Sequence, residues 1–223
     1  MLSRSGLFQA GCLLRATSSR TSACLPDAWP KHAAHKRAQS TTSSPPFHDD
    51  VHANGIFYHA LSSLGDRYAL SYSSKVPSSA EQPSVLGILS LPSSAQITAQ
   101  DGSRLAPSQL AQSHAEDFVT NPNFHIFLHR VLKLAALDDG MIQYEAFLRK
   151  SGFAHVADQR EQLMPGRIPY PENILASIGF DNQELVGETY SPNEVHRIIT
   201  KELGVMVLRP AWHARLMEEL DKA

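Results

Sequence analysis

Cysteine is nearly absent from this sequence, and the few residues present lie close to the N-terminus. The 223-residue chain contains only Cys12 and Cys24, both within a leading segment that we expect to be removed by processing. The processed chain would then have no cysteine. This composition excludes a disulfide, a thiolate zinc site, an all-cysteine iron–sulfur cluster and a cysteine nucleophile.

Long apolar runs are missing as well. A membrane-spanning helix needs about 20 consecutive apolar residues, whereas the longest comparable stretch, residues 85–91, is far shorter. We therefore predict no transmembrane segment. The hydrophobic share of 42% is still ordinary for a globular protein, so a packed core is expected.

Sequence motifs that identify a cofactor site or a catalytic centre are also lacking. The sequence has no Walker A loop, no G-x-G-x-x-G turn, no G-x-S-x-G elbow, no H-E-x-x-H pair and no EF-hand loop. We therefore predict no cofactor. These absences favour a protein without catalytic activity over an enzyme of a motif-bearing class.

The first 40 residues have the composition of a mitochondrial presequence. They carry six basic residues and one acidic residue, Asp27, so their net charge is +5 while the rest of the chain has −7. On a helical wheel Arg4 and Arg15 lie opposite a broad apolar face. That face is formed by Leu2, Leu7, Ala10, Leu13 and Leu14. An amphipathic, acid-poor, Arg- and Ser-rich N-terminus is typical of mitochondrial import, and we predict cleavage near residues 38–41 and a location in the matrix.

Two other interpretations of this N-terminus are less consistent with the residues. A secretory signal requires an uninterrupted apolar region of about 7–15 residues, and Gln9 and Arg15 interrupt the apolar residues here. A disordered tail without targeting function is the second alternative. The acidic remainder of the chain lacks the basic surface that phosphate contact needs, so nucleic acid is not an expected partner.

The rest of the sequence predicts a linker, residues 41–50, followed by a single α+β domain, residues 51–223. Strand-like segments come first, helical periodicity follows, and strands and a C-terminal helix complete the chain. This order favours mostly antiparallel sheets with a central helical segment. Two sub-domains, residues 51–151 and 167–223, are an alternative because a proline-rich segment separates them.

Several elements have local signals. Short strands are predicted near residues 55–60, 67–72 and 84–91. A helix should begin at Asn121-Pro122, where Asn is a good N-cap and Pro a good first helical residue. Its apolar residues recur at helical spacing. They are Phe124, Phe127, Leu128, Val131, Leu132 and Ala135.

Further elements are predicted on either side of the proline-rich segment. Asp138 or Asp139 can cap another helix, and residues 155–158 are predicted to lie on a short helix. A hairpin is expected around Asp181-Asn182, a second around residues 201–204, and a terminal helix from Pro210.

One pair of side chains could bind a metal ion. His125 and His129 are four residues apart on the predicted helix, so both can approach one ion from the same face. The carboxylate of Glu116, or that of Asp117, could complete a set of two histidines and a carboxylate. The competing interpretation, hydrogen-bonding or solvated histidines, is favoured because the chain contains eleven histidines and chance pairs are common.

Three residues are candidates for contact with a partner protein. Arg167 and Tyr170 lie in the proline-rich segment, where Arg could bind an anion and Tyr could serve as an aromatic anchor. Trp212 lies on the apolar stripe of the terminal helix, which would pack on the sheet or dock on another subunit.

The sequence thus favours a soluble mitochondrial accessory, scaffold or assembly protein. Its partners would be other mitochondrial proteins whose identity the sequence does not give. The alternative is a small metal-dependent enzyme with a site near His125 and His129.

Overall fold

A computed structural model describes residues 47–61, 66–92, 105–161 and 167–222. It shows an α+β protein in which every pair of neighbouring strands is antiparallel. The predicted fold class, with central helices and a C-terminal helix, is confirmed. No helix in these four ranges is long and apolar enough to cross a membrane.

A five-stranded sheet occupies the first half of the chain, with its strands in sequence order. The strands are β1 (Phe47–Asp49), β2 (Ile56–Ala60), β3 (Arg67–Ser71), β4 (Val85–Ser90) and β5 (Phe118–Thr120). Between β4 and β5 the chain forms α1 (Pro107–Ser113) and a 3₁₀ turn (Ala115–Asp117).

Two helices follow this sheet and lead into a second one. They are α2 (Pro122–Leu137) and α3 (Gly140–Arg149). The second sheet has three strands, β6 (Gly152–Ala157), β7 (Ile174–Asp181) and β8 (Glu184–Pro192), in the order β6-β7-β8. Asn182 and Gln183 form the turn between β7 and β8, and both have left-handed φ values, as a tight hairpin turn requires.

A short hairpin and a helix complete the chain. The hairpin pairs β9 (Ile199–Thr200) with β10 (Gly204–Val205), and the helix is α4 (Pro210–Lys222). One hydrophobic core contains residues from both sheets, and α4 packs against α2. The fully buried side chains with the largest volumes include Trp212, Phe124, Leu70, Leu86 and Ile178.

Asn121 fixes the start of α2 against the first sheet. Its side-chain oxygen accepts a hydrogen bond from the Asn123 backbone N–H, as an N-cap does. Its amide nitrogen donates to the carbonyl oxygens of Gln82 and Val85, at 2.7 and 2.8 Å. Because the side chain is buried, these bonds also satisfy polar groups that water does not reach. The predicted helix start is therefore correct, and Asn121 also positions His125 one turn further along.

The structure differs from the predicted elements at two places. Residues 47–49, which we expected to be part of a linker, form β1 and pair with β2, because Phe47 and His48 lie opposite Tyr58 and Phe57. Residues 155–158 are not a short helix. Residues 155–157 are the end of β6, where His155 pairs with Ser177 across the strands, and Asp158 follows the strand. The predicted presequence, residues 1–40, and residues 41–46 of the predicted linker lie outside the described residues.

Gly87 in β4 allows β5 to approach closely, and this provides a test of the first sheet. A Cβ atom at this position would lie 2.4 Å from the Val119 carbonyl oxygen and 2.4 Å from Phe118 Cζ. We expect Gly87→Ala to lower the free energy of unfolding by at least about 2 kcal/mol, because the backbone must shift. The measurement is urea denaturation.

The matched control is Gly140→Ala at the start of α3, where a Cβ would meet no atom within 4 Å. This substitution should leave the free energy of unfolding unchanged or raise it by up to about 1 kcal/mol, because Ala loses less conformational entropy than Gly on folding into a helix. Equal stability of the two variants would contradict the observed pairing of β4 with β5.

Candidate functional site

Helix α2 and strand β8 bring two histidines and a tyrosine into a chain of contacts. His125 Nε2 lies 3.1 Å from His129 Nε2, and His129 Nδ1 lies 2.9 Å from the Tyr190 hydroxyl. The histidines are one helical turn apart on α2, whereas Tyr190 comes from β8, 61 residues away. His129 is only 7% exposed, and His125 is half-buried. His129 is thus shielded, while His125 and Tyr190 on either side of it are partly exposed.

Burial keeps these three groups uncharged near neutral pH. It lowers the pKa of His129 to about 3, with smaller contributions from His125 and His196. Burial also lowers the pKa of His125 and raises the pKa of Tyr190. The tyrosine therefore remains a hydroxyl, and each imidazole carries one N–H.

The chain of contacts can be hydrogen-bonded in two patterns. In one pattern the Tyr190 hydroxyl donates to His129 Nδ1, and His129 Nε2–H donates to His125 Nε2. In the other pattern both hydrogen bonds are reversed. All three groups are neutral in both patterns, which differ in the tautomers of the two imidazoles and in the direction of the Tyr190 hydroxyl.

A buried ion pair lies close to the histidines. Asp158 Oδ2 accepts hydrogen bonds from Arg160 Nε at 2.9 Å and Arg160 Nη2 at 2.7 Å. Arg160 also donates to the carbonyl oxygens of Arg197 and Gly204, each at 2.7 Å. His196 Nε2 lies 3.5 Å from the Asp158 carboxylate, at the outer limit of a hydrogen bond. Burial, reinforced by Arg160, lowers the pKa of His196 although Asp158 opposes the shift.

Glu116 does not join the predicted metal site. Its carboxylate forms an exposed ion pair with Lys201, with 2.6 Å between Oε1 and Nζ. Within the described ranges, no group of three or more His, Cys, Asp or Glu side chains is arranged to hold a metal ion. Of the predicted set His125, His129 and Glu116, the structure brings only the two histidines together, because Glu116 pairs with the lysine on the β9–β10 turn.

The three predicted partner contacts have different outcomes. Arg167 is exposed, and Tyr170 is 66% exposed, so both remain predictions for contact with another protein. Trp212 is only 1% exposed, so of the two alternatives for this residue it packs in the core and does not reach a partner. Its indole fills the core, and the Arg209 guanidinium covers it at 4.5 Å from the ring centroid.

Helix α3 presents an apolar surface that the sequence analysis did not identify. Ile142 and Ala146 face the core, whereas four large apolar side chains on the opposite side are 57–69% exposed. We call these four the α3 face. They are Met141, Tyr144, Phe147 and Leu148. A helix that is apolar on both sides normally has a second partner.

Polar contacts hold α3 firmly in this orientation. Asp139 caps the helix by accepting hydrogen bonds from the Met141 and Ile142 N–H groups. Both oxygens of the same carboxylate also accept hydrogen bonds from Arg209 Nη1 at the start of α4, at 2.9 and 2.8 Å. The α3 face is thus directed outward by the fold.

No protein-family model, no curated protein and no solved structure matches this chain.

Two of the residues missed by sequence reasoning had no local signal. Tyr190 and His196 meet α2 only through tertiary packing, because they lie 61 and more residues away in sequence. The α3 face did have a signal. Six of the ten residues in Gly140–Arg149 are apolar or aromatic, and they lie on all sides of the helix. Because only one side of a surface helix packs on its own core, some of these side chains are expected to be exposed.

The buried state of His129 predicts a pH-dependent stability. Its pKa is about 3 in the folded chain and 6.5 when unfolded. Between these pH values the unfolded state binds a proton that the folded state does not, so stability decreases as the pH falls. From pH 7 to pH 5 this single site removes about 2 kcal/mol from the free energy of unfolding. Over the same pH range, the free energy of unfolding of His129→Gln, whose amide keeps hydrogen-bonding capacity, should fall by about 2 kcal/mol less than that of the wild type.

Urea denaturation at pH 7, 6 and 5 in the presence of EDTA measures this difference. His125 and His196 face His129 and also titrate, but they are present in both proteins and their contributions largely cancel. The same pH dependence in wild type and variant would show that His129 is not buried and neutral as described.

Proposed function

We propose that the protein is a mitochondrial accessory, scaffold or assembly protein that binds another protein through the α3 face. The exposed apolar side of α3 carries this proposal. Monomeric proteins rarely leave several large apolar side chains together on one rigid helix, and such surfaces usually mark protein contacts. The positively charged, acid-poor N-terminal segment supports the mitochondrial location.

The polar groups around the α3 face also suit an interface. Glu145 and Arg149 pair with each other at 2.5 Å, and Gln143 donates to the Leu137 carbonyl oxygen at 2.7 Å. A partner could therefore cover the apolar side chains without leaving these groups unpaired, which avoids a desolvation cost. Met141, Tyr144 and Leu148 follow the spacing i, i+3, i+7, which fits a helix or groove on the partner.

Site-specific photo-crosslinking in cells tests this function. With p-benzoylphenylalanine in place of Tyr144, we expect one discrete adduct with a mitochondrial protein, and the chain should fractionate with mitochondria. Phe147→Glu should reduce the adduct at least tenfold, because a charge inside an apolar contact is strongly unfavourable.

The matched control uses Ile126 on α2, which is 69% exposed but lies outside the α3 face. The crosslinker at position 126 should give no such adduct, and Ile126→Glu should leave the Tyr144 adduct unchanged. An adduct only with a second copy of the chain, or recovery of the chain outside mitochondria, would contradict the proposal.

A second function, that of a small metal-dependent enzyme, is supported by the geometry of the histidine pair. A tetrahedral zinc ion with Zn–N bonds of about 2.0–2.1 Å places two ligand nitrogens about 3.3–3.4 Å apart. The two Nε2 atoms here are 3.1 Å apart. Donation from His129 Nδ1–H to Tyr190 would leave Nε2 free as a ligand and fix the ring, as outer-shell partners do.

Calorimetric titration of the full chain with ZnCl₂ at neutral pH distinguishes this second function. It predicts saturable uptake of one ion per chain, which His125→Gln and His129→Gln each abolish. His155→Gln is the control, since His155 bonds Ser177 on the second sheet at 3.0 Å. Uptake that is absent, or unaffected by the two substitutions, would exclude the metal site.

A further inference from the structure

A small cavity lies on the inner face of the five-stranded sheet, next to the start of α1. Its volume is about 270 Å³. Four wall residues come from four adjacent strands, and four come from α1 and the two residues before it. They are Phe47, Tyr58, Tyr68, Leu89, Leu105, Ala106, Pro107 and Leu110. Among the described residues, the side chains of the wall are thus apolar except for two tyrosine hydroxyls, and none is charged.

The strand register explains why these side chains meet. Phe47 lies opposite Tyr58 in the pairing of β1 with β2, and Tyr68 lies opposite Leu89 in that of β3 with β4. Residues directly opposite each other point to the same side of a sheet. Tyr58 and Tyr68 share that side because Tyr68 pairs with Ala60, two residues beyond Tyr58. The cavity is therefore built into rigid strands.

One polar group of the wall is unusual. The Tyr58 side chain is 96% buried, since only 4% is exposed, and its hydroxyl makes no hydrogen bond within the described part of the chain. Asp49 lies on the same face of β1, is 2% exposed, and also has one oxygen, Oδ2, without a hydrogen bond there. Burial and the Asp49 charge raise the pKa of Tyr58, so the hydroxyl stays protonated and can donate.

Size and charge limit what the cavity can hold. Its volume corresponds to about nine water molecules at roughly 30 Å³ each, which is also the scale of about nine or ten non-hydrogen atoms. An anion is disfavoured, because no basic side chain from the described part of the chain lines the wall and the Asp49 carboxylate is close to Tyr58. An apolar wall with one or two polar groups is the common pattern of ligand pockets.

We propose that this cavity binds a small, neutral, mainly apolar molecule of about ten non-hydrogen atoms, whose oxygen accepts a hydrogen bond from the Tyr58 hydroxyl. Aliphatic alcohols and amides share this chemistry. The site is separate from the α3 face, so either can fail without the other.

Straight-chain alcohols from 1-hexanol to 1-dodecanol, with decanoate as the anionic analogue, test the proposal by calorimetric titration of the full chain. Affinity should rise about fourfold with each added methylene and stop rising near 1-octanol or 1-nonanol, when the cavity is full. Decanoate should bind at least tenfold more weakly than 1-decanol. The absence of saturable binding, or affinity that rises through 1-dodecanol, overturns the proposal.

Two variants locate the site. Tyr58→Phe should weaken alcohol binding about two- to tenfold, the effect of one neutral hydrogen bond, without lowering the stability of the free protein, since the hydroxyl has no partner to lose. Leu110→Trp should fill the cavity and abolish binding. Its control is Leu134→Trp on the exposed side of α2, which should bind the alcohols normally.

Circular dichroism and thermal denaturation establish that each variant is folded. If Leu110→Trp does not fold, Tyr58→Phe decides the matter by itself. Alcohol affinity that Tyr58→Phe leaves unchanged would show that the hydroxyl does not meet the ligand, and a loss of stability in the free variant would assign it a structural role.

Discussion

The buried ion pair between Asp158 and Arg160 is the constraint on which the second half of the structure depends. The Arg160 guanidinium joins the end of β6 to the backbone before β9 and to β10 through carbonyl oxygens of Arg197 and Gly204. Breaking such a buried pair costs about 3–5 kcal/mol, because one charge is left without its partner. That is a large share of the stability of a typical domain. The pair also helps to position His196, because Arg160 binds the carbonyl oxygen of the next residue, Arg197.

Fixed polar contacts also determine which side chains each surface of the molecule exposes. Asp139 holds α3 by capping it and by binding Arg209, so the apolar residues that do not reach the core must face outward. The histidine chain on α2 is oriented by Tyr190, and its inner member is kept neutral by burial. The exposed apolar side of α3, the histidine pair on α2 and the cavity beside α1 thus lie on separate elements, each positioned by a different part of the fold.

Features that depend on neighbouring residues could be predicted from the sequence. The N-cap at Asn121, the apolar stripe of α2, the cap at Asp139 and the Glu145–Arg149 pair all follow from helical geometry over a few residues. Strands β2, β3 and β4 and the tight β7–β8 turn likewise have local signals. Residues 155–158 were mistaken for helix, since strand β6 is stabilised by pairing with β7, which lies beyond the proline-rich segment.

The sequence by itself determined the α+β class, the positions of the main helices and the proximity of His125 to His129, because periodicity and capping act within one or two turns. Only the tertiary structure shows that Tyr190 contacts His129 and that Glu116 pairs with Lys201 and not with the histidines. It also shows that the Trp212 side chain is buried in the core and that four strands enclose a cavity beside α1. These outcomes depend on strand register and on packing between residues far apart in the chain. No local sequence pattern predicts such contacts, because these residues come together and stabilise the fold only when the whole core has formed.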